Sequence, residues 1–260
     1  MQAPLFDCRQ RGPSKPFLLF SRWNPFGISN GEDNNLGVCL EQAEQIKDAL
    51  PLYQQALELS KHKLGDDHPD TLITQYNLAN AWRKAGEPGQ AIDLFEEALE
   101  KGRRKPGADH PDTVNAMFDL GVTYEKSGML EKAMPLYEDV LREREKKLGP
   151  DHGDTLKVKS YLAVAYSLTG RLENALQLFT EIYELRKKKL GPENQDTLRS
   201  MYALANAYKL MNKLDKSLEI FQGLLALTEK SKPLPKGYPQ VSDTKNQIAE
   251  ILPLVKPKQQ

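Results

Sequence analysis

Three histidines set the first chemical question. His68, His110 and His152 each stand beside aspartates, and imidazole with carboxylate is a donor set that suits zinc and related ions. Their spacing argues against a shared ion. They recur every 42 residues, whereas the ligands of one metal must come within about 2–2.5 Å of it. Side chains on successive stacked units lie on the order of 10 Å apart. No phosphate loop, nucleophile elbow, zinc-ligand spacing or kinase signature set is present. Cys8 and Cys39 have no paired histidine that would activate a thiolate. The residues therefore predict no catalytic site, no metal and no cofactor, in a chain that is not an enzyme.

The histidines belong to a longer repeat. Asp-Thr recurs at Asp70-Thr71, Asp112-Thr113, Asp154-Thr155 and Asp196-Thr197, each 42 residues after the last. A Leu-Gly-x-Asp-His-Pro-type connector precedes each pair, as in Leu64-Gly65-Asp66-Asp67-His68-Pro69. Apolar residues at helical spacing follow: Leu78, Ala79 and Trp82, then a break at Gly86, then Ala91, Leu94, Phe95 and Ala98. The later units break at Gly128, Gly170 and Asn212, residues that tolerate the positive φ of a helix C-terminus. Each unit thus predicts two antiparallel helices, with Asp70, Asp112, Asp154 and Asp196 capping or electrostatically favouring the first. Ala79, Gly121, Ala163 and Ala205 face Ala91, Ala133, Ala175 and Ser217, so the paired backbones can approach closely. No unit can bury its apolar face alone, so the units must stack.

Composition agrees with such a chain. The 260 residues hold 36 basic and 36 acidic side chains, which argues against a coat for nucleic acid or an anionic membrane. No apolar run reaches the roughly 18 residues of a membrane span, and the N-terminus has no apolar signal core. Two cysteines make no disulfide framework and favour a reducing, cytoplasmic setting.

The pattern Leu-Ala, then an aromatic, then Ala, aromatic and Ala resembles the tetratricopeptide repeat. The usual unit is about 34 residues; the 42-residue unit and its connector resemble the kinesin-light-chain-type subclass. The resemblance implies an all-α fold, a right-handed α-solenoid of stacked antiparallel helix pairs. Residues 1–35 are an irregular N-terminal segment, expected to be flexible unless its aromatics fold onto the open end of the stack. Residues 36–227 form the array, one degraded repeat plus four clear ones. Residues 228–260 hold a Pro-rich connector, a capping helix that Asp243 would start and Pro253 would stop, and a tail.

The family's first helices line a concave groove. Carried over by position, this groove comprises Tyr76, Asn77, Asn80, Arg83, Lys84, Asn115, Phe118, Lys126, Lys157, Tyr161, Arg199, Tyr202, Asn206 and Lys209. Ile73, Asp119, Val122, Glu125, Ser160, Val164, Ser167, Leu168, Ala203 and Leu210 complete it. Six cations against two carboxylates favour an acidic ligand, and the asparagines could bond an extended backbone. The resemblance implies a protein-interaction scaffold for extended, acidic-aromatic peptides. The alternative is a regulatory or sensor module that works with a separate signalling enzyme such as a protein kinase. Residues 1–48 show no sustained heptads, so the coiled coil that kinesin light chains use to hold the motor is not expected there. Neutral charge and the 42-residue period disfavour nucleic acid as a partner. Self-association through the open ends of the stack is a further expectation.

Overall fold

Each first helix begins at a side chain the sequence pattern had assigned to a connector. In the computed structural model, which describes residues 46–230 and 241–255, His68 has extended backbone and its Nδ1 accepts the Asp70 N–H at 3.2 Å. His110 and His152 do the same for Asp112 and Asp154, at 3.3 and 3.2 Å. Asn194 Oδ1 serves Asp196 at 2.9 Å. The caps are therefore the histidines and Asn194, not the aspartates two residues later. Those aspartates lie in the first turn, where a negative charge favours the helix dipole. An accepting Nδ1 requires the ring proton on Nε2.

Ten α-helices and no strand occur among the described residues. They are α1 (Ile46–Leu64), α2 (Pro69–Ala85), α3 (Pro88–Gly102), α4 (Pro111–Lys126), α5 (Leu130–Leu148), α6 (Gly153–Leu168), α7 (Leu172–Leu190), α8 (Gln195–Leu210), α9 (Leu214–Lys230) and α10 (Val241–Ile251). A π-turn at Arg103–Gly107 follows α3. It is the one connector in which Pro106 replaces the usual leucine, and Lys105 before it is driven to extended backbone. The chain divides into two compact units, Met1–Met129 and Leu130–Gln260.

Within each unit every helix packs on its neighbours in sequence. In the first, α2 lies against α1 and α3, and α4 against α3. In the second, α6 lies against α5 and α7, α8 against α7 and α9, and α10 against α9. The hairpin turns share one device. Gly86 has φ 86°, its N–H reaches Arg83 O, and the Glu87 N–H reaches Trp82 O. Asn212 holds the corresponding place with φ 56°.

Close helix approach follows from the small residues. Ala79 and Ala91 are wholly buried in the first unit, as are Ala205 and Ser217 in the second. The Ser217 hydroxyl donates to Ala205 O at 2.9 Å, bridging two helix backbones. Phe95, Tyr137 and Phe221 are also wholly buried, each worth about 1.5–3 kcal/mol of apolar transfer.

The final helix takes the first-helix position of a further repeat. Thr244 and Ile251 are wholly buried, like Thr197 and nearly like Leu204. Its start at Val241 precedes Asp243, which falls in the first turn instead of at the cap. Pro253 lies inside a 3-10 turn, Leu252–Leu254, after the α-helix has already ended. The suggested docking of residues 15–27, and the first helix of the degraded repeat, fall outside the described residues. Its second helix is α1, with Ala49 and Tyr53 fully buried.

Two substitutions test the local rules. His152→Ala should lower the unfolding free energy by about 1 kcal/mol, while His152→Asn should restore it, because Asn194 already serves the same N–H. Asn212→Gly should raise stability by roughly 0.5–1 kcal/mol by relieving a left-handed side chain. Both are read by urea unfolding.

Candidate functional site

The expected groove residues fall on first helices in both units. In the first unit, α2 and α4 are joined by a polar cluster. The Tyr76 hydroxyl donates to Asp119 Oδ2. Arg83 Nη2 lies 3.8 Å from Asp119 Oδ1 and donates to Asn80 Oδ1 at 2.7 Å. Asn80 Nδ2 in turn donates to Tyr76 O at 3.3 Å. The Tyr76 ring stands edge-on to Phe95 with centroids 5.7 Å apart. Burial, then the Asp119 charge and hydrogen bond, hold the Tyr76 hydroxyl well above its ordinary titration range.

Packing and this cluster change the chemistry expected of three residues. Asn80 is buried and both ends of its amide are engaged inside the protein. Arg83 and Asp119 face each other, so the cation is offset locally. Phe118 is buried at 6% exposure and contributes to the core. Lys84, Asn115 and Lys126 are exposed on the same two helices, and Asn77 is half-buried.

The second unit is built differently. Lys157 on α6 and Arg199 on α8 occupy the same place in their repeats, and both are exposed. Arg199 Nη1 lies 3.5 Å from Asp196. Eleven residues further along each helix stand Leu168 and Leu210, with 64% and 59% of their surface exposed. Eleven residues is about three full turns, so each cation and leucine share a helix face about 16 Å apart. Val164 lies between them on α6, at 39% exposure. Tyr161 rests on Tyr137 at 5.7 Å, and Tyr202 is edge-on to Phe221 at 5.5 Å. The Asn206 amide donates to its own helix at Tyr202 O, 3.0 Å away.

Lys209 belongs to the end of the array. Its Nζ donates to Gln247 at 2.7 Å and to Glu250 at 2.6 Å, both on α10. In repeat register this pair matches Arg83 with Asp119, a cation on one first helix meeting a carboxylate six residues past the motif threonine of the next. Glu250 stands six residues past Thr244, so the pairing was legible once Asp243-Thr244 was read as a further motif. The five-residue insertion before it hid the match.

One charged residue escaped the pattern altogether. Lys159 is 2% exposed, with Nζ 2.8 Å from Glu145 Oε1 and 2.5 Å from Glu181 Oε1. Burial alone would lower its pKa, but bonds and charges from both glutamates outweigh it and raise the pKa above the ordinary 10.5. Met117 and Met201 fill the same repeat position elsewhere.

Such hairpins, packed on one another within each unit, define a helical-repeat protein. The chain belongs to the tetratricopeptide repeat family, which it matches over residues 33–104, 83–146 and 154–230. No curated protein matches it significantly in sequence. Among solved structures it is similar to a variant of the nearly identical TPR-like repeats of a Podosopora anserina protein described as a kinesin light chain. That match has 25% identity and a TM-score of 0.71, covering 77% of this chain and 94% of the other. BtubC (BKLC) from P. vanneervenii shares the fold at 16% identity and TM-score 0.67, with 79% and 83% covered. YrrB, described as a TPR protein with an unusual peptide-binding site, shares it at 18% identity and TM-score 0.54, with 76% and 86% covered. The protein is thus an all-α, kinesin-light-chain-like repeat array, a fold that typically serves protein–protein interaction. No described helix is long and apolar enough to cross a membrane.

The Lys159 site gives a pH test. A raised lysine pKa stabilises the fold fully below the ordinary 10.5 and loses that contribution as pH rises through the folded value. Lys159→Met should cost about 2 kcal/mol at pH 7. The gap between wild type and variant should narrow above pH 10.5, as followed by chemical denaturation across pH 8–12.

Proposed function

We propose that the protein is a non-enzymatic scaffold that binds an extended, acidic peptide segment along its first helices. The single observation behind this reading is the shared face of cation and leucine on α6 and α8. Lys157 and Arg199 offer charge-assisted bonds to a carboxylate. Val164, Leu168 and Leu210 offer exposed apolar surface to an aromatic or aliphatic anchor. A separation of about 16 Å along the helix corresponds to about five residues of extended chain. The preferred ligand therefore places its acidic residue about five positions from its anchor. With Asn80 and Asn206 engaged internally, side-chain recognition contributes more than backbone bonding by these amides. Two cysteines in 260 residues are consistent with a reducing compartment such as the cytoplasm.

Fluorescence polarisation with labelled peptides tests the reading. Peptides pairing Glu with Leu or Trp at a five-residue interval should bind more tightly than scrambled versions. Leu168→Asp with Leu210→Asp should weaken binding at least tenfold, about 1.4 kcal/mol, without unfolding the protein, since both leucines are exposed. Equal affinity for scrambled basic peptides, or no effect of the double substitution, would falsify it.

A further inference from the structure

A second site lies away from the ligand face, where second helices meet the end of the next first helix. Its construction shows in two repeats that lack it. The Tyr124 hydroxyl donates to Glu96 Oε1, and the Tyr166 hydroxyl donates to Glu138 Oε1 at 2.8 Å. In each case the glutamate precedes the tyrosine by 28 residues, so one clasp is written into two successive repeats. Tyr208 stands 42 residues after Tyr166, but the position of the glutamate is taken by Thr180. The Thr180 hydroxyl turns back to its own helix at Leu176 O, 2.8 Å away. Tyr208 thus keeps the donor while its carboxylate is gone, and its hydroxyl has no hydrogen-bond partner among the described residues.

The clasp is replaced by an open cleft of about 470 Å³. Leu176, Thr180, Tyr208 and Met211 line it, with Lys213 and Glu173 also on its wall. A second ammonium, Lys216 Nζ, lies 5.6 Å from the centre of the Tyr208 ring. Neither Lys213 nor Lys216 has a carboxylate within ion-pair distance among the described residues. The remaining acid on the wall, Glu181, is tied to Lys159 at 2.5 Å. The repeat that contains Trp82 makes the contrast. There Gln54 replaces the glutamate and tryptophan replaces the tyrosine, so acceptor and hydroxyl are lost together.

We propose that the Tyr208 cleft receives a glutamate or aspartate side chain from a protein partner, which restores the missing clasp in trans. The phenol would donate to the carboxylate, Lys213 and Lys216 would offset its charge, and Leu176 and Met211 would hold its methylene stem. An open cleft buries too little of a small free acid to retain it, whereas a protein surface closes over the carboxylate it inserts. The site uses none of the residues of the ligand face and does not depend on the peptide reading.

The test uses the full chain with the Tyr208 ring signals assigned by NMR. Three probes are titrated: acetyl-Ala-Glu-Ala-amide, its Gln counterpart and propionate. The glutamate peptide should shift the Tyr208 signals saturably with a dissociation constant in the millimolar range, about 4 kcal/mol of binding. The glutamine peptide and propionate should each bind at least several-fold more weakly. Thr180→Glu supplies the carboxylate from within, so it should abolish the glutamate response and raise the thermal midpoint. Tyr208→Phe should remove the preference for glutamate over glutamine while the fold persists. Equal binding of the two peptides, no shift with any probe, or an undiminished response in Thr180→Glu would overturn the site. Propionate binding as tightly as the glutamate peptide would overturn the protein partner in favour of a free acid.

Discussion

Close approach of paired helices is the constraint on which the rest depends. An alanine or serine on each side of the contact lets two backbones come near enough for Ser217 to bond Ala205 O directly. Larger side chains there would hold the helices apart, and well-packed sites resist added volume at a cost of about 1–3 kcal/mol. With the hairpin drawn tight, Phe95 and Phe221 fill the space that remains and are wholly buried. The aromatic contacts of Tyr76 and Tyr202 then follow, because each ring rests edge-on against one of those phenylalanines. These first-helix tyrosines are therefore positioned by the core beneath them.

Electrostatics are arranged in layers on that frame. At the helix starts, histidine or asparagine caps a backbone N–H and the following aspartate meets the dipole. Between repeats, charged and phenolic groups form specific clasps: Arg83 with Asp119, Lys209 with Glu250, and Tyr166 with Glu138. Deeper still, Lys159 is held between Glu145 and Glu181. Equal numbers of acids and bases in the whole chain thus reflect many local cancellations. What these clasps leave unoccupied is informative. In the second unit the first helices expose leucines beyond their cations, and Tyr208 stands without the acid its counterparts have.

The fold was legible because its information is periodic. Recurrence of Asp-Thr every 42 residues, alanines at fixed offsets, and Gly or Asn at each hairpin turn specify helix pairs before any contact is known. The positive φ at Gly86 and Asn212 is the backbone form of that signal. Departures were local. Spacing could not assign the cap between His152 and Asp154, since both side chains can accept a hydrogen bond near the helix start. Geometry chose His152, whose Nδ1 reaches forward to the otherwise unsatisfied N–H of Asp154.

The sequence by itself determined the family, the helix order and the faces, because each depends on residue type at a fixed interval. Only the tertiary structure decided which side chains of the first helices are engaged by which others. Arg83 and Lys209, at the same position in two repeats, are met by carboxylates on the next first helix, while the Asn80 amide is held within its own helix by Tyr76 and Arg83. Side chains of the same repeat position differ in what stands opposite them, and that is fixed by distance across the packed helices. The same reason made Lys159 a buried charge where its counterparts are Gln75, Met117 and Met201.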